Sequence, residues 1–99
     1  MTHITASELK QRIDSGENLR IIDVREPAEY AENNMGGILL PLGHIANMQL
    51  DDIDDFKNDE LIIHCKGGTR SLQACLILEQ AGFTNLVNLT GGITAWQKL

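Results

Sequence analysis

Hydrophobic and polar residues follow two kinds of pattern along this chain. Short runs rich in Ile, Val and Leu are typical of strands buried on both faces, because they lack the polar alternation of a half-exposed strand. Segments with apolar residues three or four positions apart indicate amphipathic helices. The predicted strands are residues 19–24, 38–42, 60–65 and 83–89. The predicted helices are residues 6–15, 45–56, 70–80 and 93–98, together with a helix that begins at Pro27 and is ended by Gly36 and Gly37.

Local signals support several of these boundaries. The segment Thr5-Ala6-Ser7-Glu8 matches a capping box at the start of the first helix. Pro27 suits the first turn of the second helix, and Gly82 suits the end of the fourth. Strands that alternate with helices predict an α/β domain, because parallel neighbours need crossover connections and these are commonly helical.

Length and composition favour one globular domain over residues 1–99. The chain has 99 residues, 42% of them hydrophobic, and no low-complexity segment or internal repeat. Its apolar runs are far shorter than the roughly 20 residues that a membrane-spanning helix needs. We therefore expect a cytoplasmic protein with no membrane partner.

Charge argues against a nucleic-acid partner. The chain carries 8 Lys and Arg against 14 Asp and Glu, a net charge of −6, which would repel a phosphate backbone. The acidic segment at residues 51–55 lacks the spacing of a calcium-binding loop. We interpret it as the solvated start of a helix, where carboxylates are favoured by the helix dipole.

The two cysteines, Cys65 and Cys75, do not suggest a disulfide scaffold or a metal site. Cys65 follows the clearest predicted strand and precedes a glycine loop and a helix. Its sulfur would therefore face backbone N–H groups that the first helical turn leaves unpaired, and these stabilise a thiolate. Cys75 falls on the apolar side of the predicted helix, which favours a buried, inert side chain.

The residues after Cys65 predict a cradle for a small anion. Gly67 and Gly68 allow the chain to curl with its N–H groups pointing inward. Lys66 and Arg70 add two positive charges to a chain whose net charge is negative. A turn formed by two glycines would need neither cation, so the combination favours a functional site.

Three ordered motifs make the chain similar to rhodanese-like sulfurtransferases. The segment Cys65-Lys66-Gly67-Gly68-Thr69-Arg70-Ser71 resembles the active-site loop of that family, although Lys66 stands where Arg is common. Residues 22–30 resemble the first family signature, and residues 89–96 resemble the closing one. Segment 34–37 departs from the usual family pattern. The resemblance covers nearly the whole chain.

The resemblance implies a central parallel sheet of about five strands flanked by helices on both faces. It also implies covalent transfer of a sulfane sulfur from thiosulfate or a similar anionic donor to cyanide or a thiol, including a protein thiol. Cys65 would be the catalytic residue and would carry the sulfur as a persulfide, with no cofactor or metal. The implied substrate-binding residues are Lys66, Gly67, Gly68, Thr69 and Arg70.

Two other functions remain open at this point. A persulfide carrier or partner-binding module would use the same cysteine without free turnover. A cysteine phosphatase or arsenate reductase would also hold an anion between strand and helix, but phosphatase-like loops place one more residue between Cys and Arg. Arg70 has two open roles, since it can attract the donor or pin the loop by pairing with a carboxylate.

Polar residues near the same strand ends are interpreted as structural. His64 precedes Cys65, and neighbouring residues of a strand point to opposite faces, so we predict a packed histidine. For Asp23 and Arg25 the resemblance implies a buried ion pair. Trp96 is interpreted as packing.

Overall fold

The structure is a computed structural model that describes all residues, Met1 to Leu99. The strands are β1 (Thr2–Ile4), β2 (Arg20–Asp23), β3 (Ile38–Leu39), β4 (Leu61–His64) and β5 (Leu86–Leu89). The helices are α1 (Ala6–Asp14), α2 (Pro27–Glu32), α3 (Leu42–Ala46), α4 (Thr69–Gln80) and α5 (Gly92–Gln97). A short 3₁₀ turn at Asp54–Phe56 precedes β4.

All five strands pair in parallel, in the order β1-β5-β4-β2-β3. In the register, Ile63 of β4 lies beside Ile22 of β2, and Ile62 of β4 lies beside Val87 of β5. The predicted parallel α/β sheet is therefore confirmed. Because β4 is the central strand, its carboxyl end lies in the middle of the sheet edge where α/β proteins bind ligands.

Helices cover both faces of the sheet, as predicted. One face carries a cluster of 14 buried residues that includes Leu61 and Ile63 of β4 and Ala74 and Leu78 of α4. The opposite face carries a cluster of six buried residues, to which β4 contributes Ile62. Successive residues of β4 thus enter different clusters, which is the two-residue period of a strand. The longest helix, α4, has 12 residues, fewer than a helix needs to span a bilayer.

Strand β1 was not predicted. Its burial is confined to Ile4, because Thr2 and His3 are exposed at the edge of the sheet. One buried position in three gives no periodic signal. The pairing of β1 with β5 is what makes it a strand.

The helix predicted over residues 45–56 is wrong. Helix α3 ends at Ala46, and Met48 adopts a φ of 58°, in the left-handed region. The apolar spacing is real, since Leu50 and Ile53 are buried, but successive turns place them in the core. The acidic residues of this segment are exposed on those turns and on the 3₁₀ turn, so they do not begin an α-helix.

All four predicted strands are shorter in the structure, and two of them are shorter by three residues. The strand predicted at residues 38–42 ends at Leu39, because the chain turns at Pro41 into α3. The strand predicted at residues 83–89 begins at Leu86, and Phe83 is buried from the preceding turn. In both cases apolar residues outside the strand, Leu40 and Phe83, are buried in the core. The predicted helix that begins at Pro27 also ends before Gly36, at Glu32.

Candidate active site

The central strand gives way to a tight loop and then to a long helix. Strand β4 ends at His64, Cys65 follows at once, and α4 begins at Thr69. Gly68 caps α4 with a φ of 114°, a conformation that residues with a Cβ rarely adopt. Gly67 needs no such conformation and a Cβ there would meet nothing, so the backbone requirement for glycine falls on Gly68 alone.

Two polar groups lie close to the sulfur of Cys65. The Gly68 N–H lies 3.0 Å from Sγ, and the Ser71 hydroxyl lies 3.5 Å away. Burial by itself raises the pKa of the Cys65 thiol, but the Ser71 hydroxyl and the N–H groups of Ser71, Gly68 and Arg70 outweigh it, so the net pKa is lowered. The predicted cradle of inward-facing amides is therefore present, and it lies on the first turn of α4.

The start of α5 holds the other side of the loop. The Ile93 N–H donates to the Cys65 carbonyl at 2.9 Å, and the Thr94 N–H donates to the Lys66 carbonyl at 3.1 Å. Gly92 lies so close to both carbonyls that a Cβ would overlap them. With these carbonyls bound to α5, the N–H groups that follow remain available to the sulfur.

Arg70 points to a carboxylate. Its Nη1 and Nη2 atoms lie 2.6 and 2.9 Å from the two carboxylate oxygens of Glu29 on α2. This bidentate pair lowers the pKa of Glu29 to about 2, and the bond to Glu29 raises the pKa of Arg70. The structure therefore shows Arg70 in the second of its two predicted roles, paired with a carboxylate. Attraction of an anionic sulfur donor by Arg70 stays a prediction.

The two remaining loop residues, Lys66 and Thr69, are exposed. Lys66 lines a polar cavity of about 250 Å³ that also contacts Arg25, Glu29 and Thr94. Cys65 itself is only 1% exposed, so its sulfur lies at the bottom of the loop.

A buried polar cluster lies behind the loop. Arg25 donates from Nη2 to Asp23 at 2.8 Å, and both side chains are almost fully buried, so the expected ion pair is confirmed. His64 is fully buried, with Nε2 3.7 Å from Asp23 Oδ2 and without a hydrogen-bond partner. Burial lowers the pKa of His64, although Asp23 opposes the effect. The packed histidine is also confirmed.

Cys75 is fully buried in the middle of α4, as predicted. Burial, followed by the charge of Glu79, raises the pKa of Cys75 to about 12.

The sequence analysis missed three residues of this region: Glu29, Ser71 and Asn88. Ser71 stands at the end of the loop motif, and Glu29 lies inside the first family signature. Neither motif indicates which residue the side chain contacts in the folded protein.

The fold and the loop define a class of protein: a parallel α/β domain with an ionisable cysteine in a cradle of amides after its central strand. The family model for the rhodanese-like domain matches residues 5–99. The chain therefore belongs to the rhodanese-like family.

Individual relatives agree with this assignment. A sulfurtransferase of Allochromatium vinosum is 35% identical over 99 residues, which cover 99% of this chain and 90% of that protein. A Bacillus subtilis protein with the provisional name sulfur carrier protein YrkF is 34% identical over 94% of this chain, but the match covers 49% of that protein. The crystal structure of a Staphylococcus aureus rhodanese-like domain protein superposes with a TM-score of 0.85 at 34% identity, covering 97% of this chain and 91% of that one.

Proposed function

We propose that the protein is a sulfurtransferase in which Cys65 accepts a sulfane sulfur and passes it on. Family membership and the names of its relatives support sulfur transfer in general. The single observation that supports Cys65 as the carrier is its cradle: an N–H group at 3.0 Å and a hydroxyl at 3.5 Å from Sγ stabilise negative charge on that atom.

The first step is attack of the Cys65 thiolate on the outer sulfur of thiosulfate. A new S–S bond forms to Sγ while the S–S bond of the donor breaks, and its electron pair leaves with sulfite. The product is a Cys65 persulfide whose terminal sulfur is anionic. The same cradle that favours the thiolate would then hold this anion.

The second step regenerates the thiolate. Cyanide or a thiolate acceptor attacks the terminal sulfur, the bond between that sulfur and Sγ breaks, and its electron pair returns to Sγ. The products are thiocyanate or an acceptor persulfide. No oxidant, reductant or cofactor is needed, because the electrons balance within each displacement.

The loop residues divide the remaining tasks. Gly68 supplies an N–H group, and the backbone of Gly67 and Thr69 completes the curve of the loop. Lys66 is the free cation for an anionic donor, because its side chain is exposed beside the polar cavity. Arg70, held by Glu29, contributes positive charge near the sulfur and orders the loop.

A persulfide carrier that is loaded and emptied by partner proteins is the second candidate. One observation favours it: a relative that is 34% identical to this chain has the provisional name sulfur carrier protein YrkF. Thiosulfate as donor, cyanide or a thiol as acceptor, and a cytoplasmic location stay predictions.

Mass spectrometry after treatment with thiosulfate tests the proposal. We expect one added sulfur atom on the intact protein, its removal by cyanide, and no addition to the Cys65→Ser variant. Cys75→Ser is the matched control and should load normally, because Cys75 is buried and its pKa is about 12. Loading of Cys65→Ser would refute the role of Cys65.

Steady-state kinetics separate the two candidates. A free catalyst turns over thiosulfate with cyanide or a small thiol many times per Cys65. A carrier loads once, and the persulfide remains until a partner protein is added.

A further inference from the structure

The hydroxyl of Ser71 has more acceptors than protons. It lies 2.6 Å from Asn88 Oδ1, 3.0 Å from the Gly68 carbonyl and 3.5 Å from Cys65 Sγ. A serine hydroxyl donates one hydrogen bond. All of these groups are buried, so water does not resolve the competition.

The proton position depends on the charge of the sulfur. A neutral thiol donates to Ser71, and the Ser71 hydroxyl then donates to Asn88 at the shortest of its distances. A thiolate only accepts, so the hydroxyl has to turn away from Asn88 to reach it. The Asn88 amide is held on its other side, where Nδ2 lies 3.4 Å from His3 Nδ1.

We propose that Asn88 is a positioning residue that holds the hydroxyl proton of Ser71 away from Cys65 until negative charge develops on the sulfur. In the persulfide, Sγ is bonded to sulfur and carries no charge, so the proton stays with Asn88. When an acceptor takes the terminal sulfur, Sγ becomes a thiolate and the Ser71 hydroxyl turns to it. The inference rests on the proposed role of Cys65 and adds a residue from the neighbouring strand β5.

The sign of the effect follows from this competition. Asn88→Leu removes the competing acceptor at similar volume and should lower the measured pKa of Cys65 by about 0.5–1. Ser71→Ala removes the donor and should raise that pKa. In the Ser71→Ala background, Asn88→Leu should change nothing further, because Asn88 acts through the hydroxyl.

The experiment is a pH titration of thiolate ultraviolet absorbance in reduced protein. Each variant is made in a Cys75→Ala background so that one thiol remains, and the absorbance of the matching Cys65→Ser protein is subtracted. Asn85→Leu is the control: it makes the same change at an exposed position just before β5 and should leave the pKa unchanged. The charged or ionisable groups around the loop and Asn88 are the same in all variants: Lys66, His64, His3, the Asp23–Arg25 pair and the Arg70–Glu29 pair.

An unchanged or higher pKa in Asn88→Leu overturns the proposal, since it would mean that the amide supports the thiolate. An equal shift with and without Ser71 also overturns it. If Asn88→Leu does not fold, Asn88→Ala gives the same test with the same expected sign. The titration reads ionisation and not sulfur transfer, so its failure is distinct from a failure of Cys65 to load sulfur.

Discussion

Cys65 and Cys75 are the same side chain in two buried positions, yet their pKa values move in opposite directions. Burial raises both. Cys75 lies in the middle of α4, where the backbone N–H groups are used within the helix. Cys65 faces the first turn of the same helix, where they are free. The position of a buried cysteine relative to the start of a helix therefore decides whether its pKa is raised or lowered.

Glu29→Gln tests the ion pair that orders the loop. The variant keeps the shape of the side chain but loses the charge that binds Arg70 at 2.6 and 2.9 Å. We expect a loss of about 1 kcal/mol in the free energy of unfolding at pH 7, measured with urea, because both side chains are partly exposed and solvent screens the pair. We also expect slower loading of Cys65 with sulfur, because the loop is less ordered.

The pH dependence of this loss has a definite sign. The pKa of Glu29 is about 2 in the folded protein and lies near 4.5 without its partners. The stabilisation is therefore complete above pH 4.5 and declines as the pH falls toward 2. The difference between wild type and Glu29→Gln should shrink over that range. Glu32→Gln, on the same helix at a residue without an ion pair, should cost nothing. Equal losses in the free energy of unfolding in both variants would contradict a stabilising role for the Glu29–Arg70 ion pair.

At the scale of elements, the loop is shaped by two helices that meet it from opposite sides. Helix α4 supplies N–H groups to the sulfur, and α5 supplies N–H groups to the carbonyls of Cys65 and Lys66. Gly92 makes the second contact feasible, because its φ of 58° and its approach to those carbonyls leave no room for a Cβ. The geometry of the sulfur cradle thus depends on α5, although the hydrogen bonds from α5 go to the loop carbonyls and not to the sulfur.

Gly92→Ala tests this dependence. The added Cβ would overlap the carbonyls of Cys65 and Lys66, so the loop has to move. We expect the free energy of unfolding to fall by about 2–4 kcal/mol and persulfide loading to be lost. Urea unfolding and mass spectrometry measure the two effects.

Gly43→Ala is the matched control for that variant. Gly43 lies in α3 with open space around its Cα, so alanine should be neutral or stabilise by up to about 1 kcal/mol. Full loading of Gly92→Ala would show that α5 does not shape the loop.

At the scale of the whole molecule, stability is tied to pH through His64. Burial lowers its pKa, so the unfolded chain takes up a proton near pH 6.5 while the folded protein still excludes it. The unfolded state then binds more protons, and the free energy of unfolding falls as the pH drops below about 6.5, until the folded histidine is also protonated. The neighbouring Arg25 disfavours that protonation further.

His64→Phe should remove this part of the pH dependence. We expect wild type to lose stability between about pH 7 and pH 5 and the variant to lose measurably less, because phenylalanine cannot be protonated. Urea unfolding at several pH values measures both slopes. His44→Phe, the same change at an exposed histidine, should keep the wild-type slope. An unchanged slope in His64→Phe would contradict the assignment.

Much of the architecture is encoded locally. Runs of Ile, Val and Leu identified four of the five strands, and the order of strand, Cys65, glycine loop and helix located the candidate site. These features are legible because each depends on neighbours in the chain: side-chain period, capping residues and backbone freedom act over a few residues. The helix wrongly predicted over residues 45–56 shows the limit of this kind of prediction. The spacing of apolar residues indicates which side chains are buried but does not determine the backbone conformation of the segment.

The contacts between residues far apart in the sequence were determined only by the tertiary structure. Glu29 lies 41 residues before Arg70, and Asn88 lies 17 residues after Ser71, and nothing in the local pattern joins them. Strand β1 likewise becomes a strand by pairing with β5 at the other end of the chain. These contacts depend on the spatial order of the strands in the sheet. That order is set by the packing of the whole domain. The nucleophile can therefore be named from its neighbours in sequence, while the groups that tune it are known only from its neighbours in space.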